Sequence, residues 1–185
     1  NLTIPKSYYT SKTQNPISID GLANEAAWND AEWTDLFMDI QGPNLDTPYY
    51  DTRVKMLWDI DYLYIYAEME EEHVWGDIEQ RDAVIFYNND FEVFIKPNEF
   101  QPYYVEFEIN ALGTLWDLFL ARPYRRNCPE LDEWEVSGTK IGIDIQGTLY
   151  YPAVFDDGWS VDLAIPIAPI NAIYRGHTFG EGSLW

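Results

Sequence analysis

Positive charge is scarce in this sequence of 185 residues, in which 11 Lys and Arg stand against 32 Asp and Glu. The formal net charge is -21. Binding to nucleic-acid phosphates depends on Lys and Arg, so this balance argues against a nucleic-acid partner. It also disfavours an anionic membrane surface. The acidity favours neutral or cationic ligands and oxygen-seeking metals such as Ca²⁺, or it serves solubility alone.

Cysteine and long apolar runs are scarce as well. The single cysteine, Cys128, excludes an internal disulfide. No apolar run approaches the roughly 18 residues that a membrane-spanning helix requires, so we expect no membrane insertion. The sequence shows no signal peptide, but it begins at Asn1. We therefore expect a processed or trimmed product, for which the missing signal does not indicate the cytoplasm.

Apolar and aromatic residues are plentiful by contrast. The hydrophobic content of 46% excludes global disorder, and aromatic residues make up 17%, with 14 Tyr and 8 Trp. Large amphipathic rings suit a β-rich domain with a binding surface. A chain of this length buries roughly 70% of its unfolded surface, so we expect one domain with its own core.

Alternation of apolar and polar residues predicts seven or more short strands separated by turn signals, with almost no helical periodicity. This pattern predicts a single all-β domain, an antiparallel β-sandwich of the immunoglobulin or jelly-roll kind. Residues 1–16 form an extended lead-in, and residues 17–185 form the sandwich. Asn24 is expected to cap a short helical turn. The predicted strands cover residues 17–19, 33–40, 52–58, 62–69, three segments within 89–120, 140–147 and 159–166.

The most informative stretch covers residues 89–120. Odd positions in two of its strands are apolar, and even positions carry acids, an amide and aromatic rings. Because strand side chains alternate between faces, one face of this sheet is apolar and the other is lined with carboxylates and rings. Such a face is either solvated or holds a polar ligand.

Sugar binding is one function that this face suits, because it needs flat apolar rings and planar hydrogen-bonding groups. Candidate rings in or beside the loop 73–89 are Trp75, Phe86 and Tyr87. Candidate hydrogen-bonding residues are Arg81, Glu92, Tyr104, Glu106, Glu108 and Asn110. The alternative is a solvated face whose acids pair with Arg53 and Lys55 on a neighbouring strand.

A glycosidase acid and base among Glu92, Glu106 and Glu108 is another alternative, since two carboxylates ~5–9.5 Å apart suffice for that chemistry. Several acids on one open face, however, repel each other without defining a distinct acid and base. Ca²⁺ is an option, and no other cofactor is indicated. The candidate calcium ligands lack EF-hand spacing, so a solvated acidic loop is the default interpretation. They are Asp59, Asp61, Glu70, Glu71, Glu72 and Asp77.

Four segments together resemble a known family in their order and spacing. They are Ile19-Asp20-Gly21 with Glu25 and Trp28, Val54 to Asp59 followed by Tyr62-Leu63-Tyr64-Ile65, Asn89 to Ile95, and Tyr103 to Asn110 with Gly113. The sequence resembles the family 9 carbohydrate-binding modules of the cellulose- and xylan-binding type. These belong to a wider group of sandwiches that includes cytochrome-type domains.

The resemblance implies a β-sandwich that grips sugar-chain ends between two aromatic rings, often near bound calcium. It implies that the first ring is Phe86, where the family usually has Trp. A sugar-contacting Arg of the family falls at Glu108, which reverses the charge. The second ring belongs to a strand beyond Trp185, so we expect C-terminal strands of the domain to be absent here.

These observations predict a non-catalytic module that docks plant-type polysaccharide ends or oligosaccharides, with other domains of a larger chain as further partners. The resemblance implies a secreted, periplasmic or cell-surface protein. Sugar would stack on Phe86 and neighbouring rings, and Glu92, Glu108 and Arg81 would bond hydroxyls. The alternatives are a structural or protein-interaction sandwich that has lost its sugar site, which the charge at Glu108 favours, and a small glycoside-active enzyme.

Overall fold

Two β-sheets pack face to face in the computed structural model, which describes residues 6–42, 44–97, 100–128, 130–131, 134–173 and 179–185. The predicted sandwich is confirmed. The strands are β1 (Ser11–Lys12), β2 (Thr52–Trp58), β3 (Tyr62–Glu70), β4 (Asp90–Ile95), β5 (Tyr104–Asn110), β6 (Leu115–Leu120), β7 (Glu130–Leu131), β8 (Lys140–Gln146) and β9 (Gly158–Pro166). One α-helix, α1 (Ile167–Ile173), and short 3-10 turns at Ala26–Asp30, Ile85–Tyr87 and Tyr124–Arg126 accompany them.

The first sheet has the strand order β1-β2-β3-β9-β8, and the second has the order β4-β5-β6-β7. All neighbouring strands are antiparallel except β1, which runs parallel to β2 with Ser11 opposite Leu57. The lead-in predicted as extended thus contributes a short edge strand. In the described ranges, no helix has the length and apolar character that a membrane crossing requires.

The main core lies between the sheets and is built from alternate positions of the strands. Phe107, Ile109, Val161 and Ile165 have no exposed surface, and they pack in one apolar cluster. Burial of one such side chain contributes about 1.5–3 kcal/mol relative to leaving it exposed. The odd positions of β4 and β5 therefore fix which side of the second sheet faces outward.

Two predicted strands are absent from the structure. Residues 17–19 form no ladder; Ile17 and Ile19 instead pack on the outer face of the first sheet. Residues 33–40 run beside β2, where Thr34 N–H donates to Val54 O at 2.8 Å and Phe37 N–H donates to Thr52 O at 2.9 Å. Local alternation predicted strands there, but it cannot reveal whether a complete ladder partner is available.

The two short helical features also differ from prediction. The turn that we expected Asn24 to cap begins at Ala26, after Glu25, and has no side-chain cap. Helix α1 was missed because its pattern is short: Ile167 and Ile170 are its buried residues. Pro169 is the third residue of α1, within the first turn, where proline removes no intrahelical hydrogen bond.

The segment 17–33 covers the outer face of the first sheet, and glycines allow it to approach closely. Gly21 has φ +89°, and a Cβ added there would lie 2.3 Å from Asp144 N. A Cβ on Gly142 would lie 2.4 Å from Gly21 N. Ser160 Oγ donates to Gly21 O at 2.7 Å. The Asp20-Gly21 turn is therefore held directly against the backbone of β8.

Three polar residues share a row beneath this segment, with Lys55 opposite Tyr66 and Tyr66 opposite Asp162. The Lys55 ammonium lies 4.6 Å from the centre of the Trp33 ring. Asp162 has no exposed surface, and neither carboxylate oxygen has a hydrogen-bond partner within the described chain. Burial, with the charges of Glu25 and Asp20, raises the pKa of Asp162 to about 8.

A smaller apolar cluster lies on the outer face of the second sheet. Its buried residues are Ile85, Trp116, Leu118, Leu120 and Cys128. Cys128 is unoxidised and buried. This cluster supports the loop 73–89 above the sheet.

Candidate functional site

The outer face of the second sheet gathers the even positions of β4 and β5, as predicted, together with those of β6. In one cross-strand row Glu92 of β4 lies opposite Glu108 of β5, and Glu108 lies opposite Trp116 of β6. In the next row Phe94 lies opposite Glu106. Carboxylates and aromatic rings are therefore neighbours on this face.

The 3-10 turn Ile85–Tyr87 brings an aromatic ring to the first of these rows. Ile85 is fully buried and anchors the turn, whereas Phe86 is 53% exposed and Tyr87 is 74% exposed. The Phe86 ring centre lies 6.2 Å from that of Trp116 and 5.0 Å from that of Tyr87. Phe86 N–H donates to Glu108 Oε2 at 3.2 Å. An exposed ring is thus fixed beside a carboxylate.

Two asparagines fix the loop that carries Phe86. Asn88 Oδ1 accepts from the N–H groups of Asp77 and Ile78 at 3.0 and 3.2 Å and from Asn110 Nδ2 at 3.1 Å. Asn110 Nδ2 also donates to Ile78 O at 2.9 Å, and its Oδ1 accepts two main-chain N–H groups of the following turn. Asn110 has no exposed surface. Its side-chain amide donates two hydrogen bonds and accepts two, all within the chain, so none is left for a ligand. The structure gives this predicted ligand residue a positioning role.

Three carboxylates converge beside Phe86, and we call Asp90, Glu92 and Glu108 the carboxylate cluster. One oxygen of each lies within 4.8 Å of those of the other two. Glu108 is only 2% exposed, Asp90 is partly buried and Glu92 is exposed. Burial, with the charges of Asp90, Glu92 and Glu106, raises the pKa of Glu108 to about 8. Burial, with the charges of Glu92 and Glu106, raises that of Asp90 to about 7.

Some polar atoms in and around the carboxylate cluster have no hydrogen-bond or ion-pair partner within the described ranges. Asp90 Oδ2 and Trp116 Nε1 are buried without a hydrogen-bond partner in the described ranges. No described Lys or Arg forms an ion pair with a member of the cluster. The alternative pairing with Arg53 and Lys55 is wrong, because both lie on β2 in the first sheet. Arg53 pairs there with Glu68 at 2.7 Å.

Arg81 and Trp75, the other predicted site residues, lie in the same loop. Arg81 Nη2 is 2.5 Å from Oδ1 of the fully buried Asp117, and Arg81 also lies 3.6 Å from carboxylate oxygens of Asp82 and Glu135. The guanidinium group of Arg81 therefore pairs with carboxylates outside the cluster. Trp75 is 41% exposed and follows the buried Val74 at the start of the loop.

The acids between residues 59 and 77 serve separate hydrogen bonds and do not converge in the described ranges. Asp59 Oδ1 accepts from the N–H groups of Asp61 and Tyr62, each at 2.7 Å, so its carboxylate organises the turn between β2 and β3. Glu71 accepts from Asn89 and Trp159 side chains. In the described ranges the carboxylate cluster is the one group of three acids whose oxygens converge. Calcium binding by the acids of residues 59–77 therefore stays a prediction.

The site also contains residues that sequence reasoning did not assign to it. Asp90 and Trp116 lie on the outer face. The period of two places Asp90 there although it was not named as a site residue, and the same period could have placed Trp116 there. No sequence pattern indicates the role of Asn88, because the three hydrogen bonds that it accepts depend on the path of the loop 73–89.

Known structures share this fold. A carbohydrate binding module family 9 from Caldicellulosiruptor kristjanssonii in complex with cellotriose is 18% identical, with 88% of this chain and 68% of that chain covered and a TM-score of 0.55. For its complex with glucose the identity is 15%, the coverage 85% and 68%, and the TM-score 0.56. A putative carbohydrate-binding protein from Bacteroides uniformis ATCC 8492 is 17% identical, with 92% and 75% covered and a TM-score of 0.62.

The comparison with curated proteins gives no match. A family model does match: the one described as carbohydrate family 9 binding domain-like covers residues 19–117, more than half of the chain. The matched range contains the Asp20-Gly21 turn, the hairpin of β2 and β3, and the whole carboxylate cluster. This chain belongs to the carbohydrate family 9 binding domain-like family.

Proposed function

We propose that this protein is a non-catalytic carbohydrate-binding module that docks oligosaccharides or polysaccharide chain ends on the outer face of its second sheet. The observation that carries the proposal is the exposed Phe86 ring, whose main-chain N–H bonds Glu108, with Glu92 lying opposite Glu108 on the neighbouring strand. An apolar ring next to planar oxygen acceptors is the combination that a sugar needs, because a sugar has C–H faces and hydroxyl edges.

The relatives support the same function. The family is a carbohydrate-binding one, and the similar structures from Caldicellulosiruptor kristjanssonii hold cellotriose and glucose. We propose glucan-type oligosaccharides of plant polysaccharides as the first ligands to test. A secreted, periplasmic or cell-surface location follows from that ligand class and is part of the proposal.

Each residue has a distinct part in the proposed binding. Phe86 stacks on the sugar face, and Tyr87 and Trp75 extend the apolar surface along the same loop. Glu92, the exposed member of the cluster, accepts hydrogen bonds from hydroxyl groups. Glu108 is buried and holds the Phe86 main chain, so it positions the ring.

A glycoside-active enzyme is the second candidate, and the pKa of about 8 at Glu108 is the observation that favours it. One feature opposes it. Glu108 is 2% exposed, so it has little access to a glycosidic oxygen.

Calorimetric titration with cello-, xylo- and manno-oligosaccharides tests the proposal. We expect saturable binding of one class, weakened about tenfold by Phe86→Ala, which removes a stacking contact of about 1.4 kcal/mol. The matched control is Tyr9→Ala, since Tyr9 is 93% exposed and lies in the lead-in. An absence of binding across the panel, or equal weakening by both variants, would contradict the proposal.

Glu92→Gln separates the remaining alternatives. A binding module loses affinity with this variant, whereas an enzyme keeps binding and loses turnover of the same oligosaccharide. A protein-interaction sandwich shows neither effect. Product analysis after long incubation with each oligosaccharide completes the test.

A further inference from the structure

We propose that the turn after β6 binds the carboxylate of a uronic acid unit, so that the module prefers oligosaccharides in which an otherwise neutral chain carries one acidic sugar. The inference rests on the proposed sugar-binding function and names the class of sugar within it. Three exposed arginines on this turn carry it, together with a strip of aromatic rings that continues the face beside Phe86.

Positive charge is concentrated at one place in this acidic chain, the segment 122–127, which we call the arginine turn. Three of the chain's 11 Lys and Arg lie here: Arg122, Arg125 and Arg126. All three are exposed, and none forms an ion pair within the described ranges. A guanidinium group presents a planar set of N–H donors that a carboxylate accepts in pairs. A carboxylate is therefore the ligand group that this turn suits.

Hydrogen bonds hold the arginine turn in a defined shape. Arg122 Nη2 donates to Asn127 O at 2.9 Å, and Asn127 N–H donates to Tyr124 O at 2.9 Å. The Tyr124 hydroxyl donates to Glu106 Oε2 at 2.7 Å, which ties the turn to β5. Because Arg122 bonds the backbone of the turn itself, the guanidinium groups left for a ligand are those of the other two arginines.

An aromatic strip on the outer face of the second sheet joins the arginine turn to the row beside Phe86. Phe94 is 53% exposed and Tyr124 is 40% exposed. Tyr104 neighbours both, because its ring centre is 6.2 Å from that of Phe94 and the Tyr124 main chain lies beside its hydroxyl. The row of Phe94 is the next one along the strands, about 6.7 Å further because it lies two residues on. A neighbouring sugar unit can therefore stack on the strip.

The charge around the strip limits how acidic the ligand is. A net charge of -21 repels a polyanion, so the bound chain is mainly neutral. Arg125 directly follows Tyr124, with Cα atoms about 3.8 Å apart, and a sugar stacked on Tyr124 therefore lies within reach of the arginine side chains. A uronic acid has a C–H face for the ring and one carboxylate for the guanidinium groups. An oligosaccharide with a single such unit satisfies both requirements.

The test is a set of calorimetric titrations with cellotriose and with three forms of it, each carrying glucuronic acid in place of a different glucose unit. Glucose and glucuronic acid differ only at the last carbon, where a carboxylate replaces a hydroxymethyl group. The titrations are run at about pH 6.5, where a carboxyl group of ordinary pKa about 4 is ionised, and at about 0.15 M salt, which screens distant charges.

Two double variants are compared with the wild type, and each removes two positive charges. Arg125→Gln with Arg126→Gln changes the arginine turn. Lys12→Gln with Lys140→Gln is the matched control, because both lysines are exposed and lie on β1 and β8 of the first sheet. The melting temperature of each variant verifies that it is folded.

We expect at least one oxidised trimer to bind the wild type and the lysine variant about tenfold more tightly than cellotriose, and the arginine variant to lose most of that preference. If cellotriose binds and no oxidised trimer binds more tightly, the inference is wrong and the proposed function stands. A preference that the arginine variant retains, or that the lysine variant loses equally, also overturns the inference. If no trimer binds, the inference fails, and the proposed function then depends on the xylo- and manno-oligosaccharides alone.

Discussion

Replacement of Asp162 by Asn should stabilise this protein at neutral pH, although the residue is fully buried in the first sheet. Asp162 has no exposed surface, and neither carboxylate oxygen makes a hydrogen bond of normal geometry within the described ranges, although the Asp20 main-chain N–H lowers the pKa of Asp162 in part. Burial is the main cause that raises its pKa, with the charges of Glu25 and Asp20 adding to it. Asn has nearly the same shape and carries no charge at any pH.

The size of the effect follows from the difference between the folded and unfolded pKa. The pKa of Asp162 rises from 3.8 to about 8, so at pH 7 the folded protein holds a proton that the unfolded chain releases. A gap of about three units between pH 7 and the unfolded pKa corresponds to about 4 kcal/mol. The contribution of Asp162 to stability is therefore greatest below pH ~4 and falls as the pH rises towards ~8. Asp162→Asn removes this fall.

Urea unfolding followed by tryptophan fluorescence, at several pH values between about 4 and 8, measures the effect. The variant and the wild type should be about equally stable near pH 4, and the variant should gain up to about 4 kcal/mol by pH 7. A variant that is less stable at pH 7, or a difference independent of pH, would refute the reasoning, because it would mean that the carboxylate is ionised and paired.

Asp156→Asn is the matched control and should act in the opposite direction. The Asp156 carboxylate accepts hydrogen bonds from the N–H groups of Thr148 at 2.7 Å and Val74 at 2.9 Å. These bonds lower the pKa of Asp156. Its stabilising effect is present above the unfolded pKa and is lost as the pH falls through the folded pKa. The variant should therefore be destabilised at neutral pH and approach the wild type in acid.

Three further predictions concern the site and the covering segment. Glu108→Gln should flatten the fall in stability between pH ~5 and ~8, because the pKa of Glu108 is about 8; an unchanged pH profile in urea unfolding would contradict this. Asn88→Ala should cost about 1–3 kcal/mol and speed hydrogen exchange at Asp77 and Ile78, whose N–H groups lose their acceptor; equal exchange would show that the loop is held otherwise. Gly21→Ala should lower the melting temperature, since the new Cβ would meet β8 and the φ of +89° disfavours any side chain; unchanged melting would refute the close contact.

The strands of the sandwich were predictable because each has one apolar face. The predicted ranges 52–58 and 62–69 agree with β2 and β3 almost to the residue, and the three strands within 89–120 are confirmed as β4, β5 and β6. Ile17 and Ile19 show the limit of this reasoning. They alternate like a strand but pack by their side chains alone on the first sheet, and backbone pairing depends on a partner that local sequence does not reveal.

The candidate site was predictable to the extent that the period of two determines it. That period placed Glu92 and Glu108 on one face, and the structure puts them in register as direct neighbours. It could not show that Asn110 is enclosed and bonded to Asn88, because this depends on the path of the loop. The partners of Arg81 were equally hidden, since Asp117 lies 36 positions further along the chain.

The position of Cys128 gives this molecule a built-in reporter of opening beneath the loop 73–89. It is the chain's one cysteine, and it is buried in the cluster of Ile85, Trp116 and Leu118. Because Cys128 is only 9% exposed, a thiol reagent should react mainly when that cluster opens, either locally or with the whole fold. The labelling rate measures how often the support beneath Phe86 loosens, and slower labelling in the presence of a sugar would read out binding without any engineered probe.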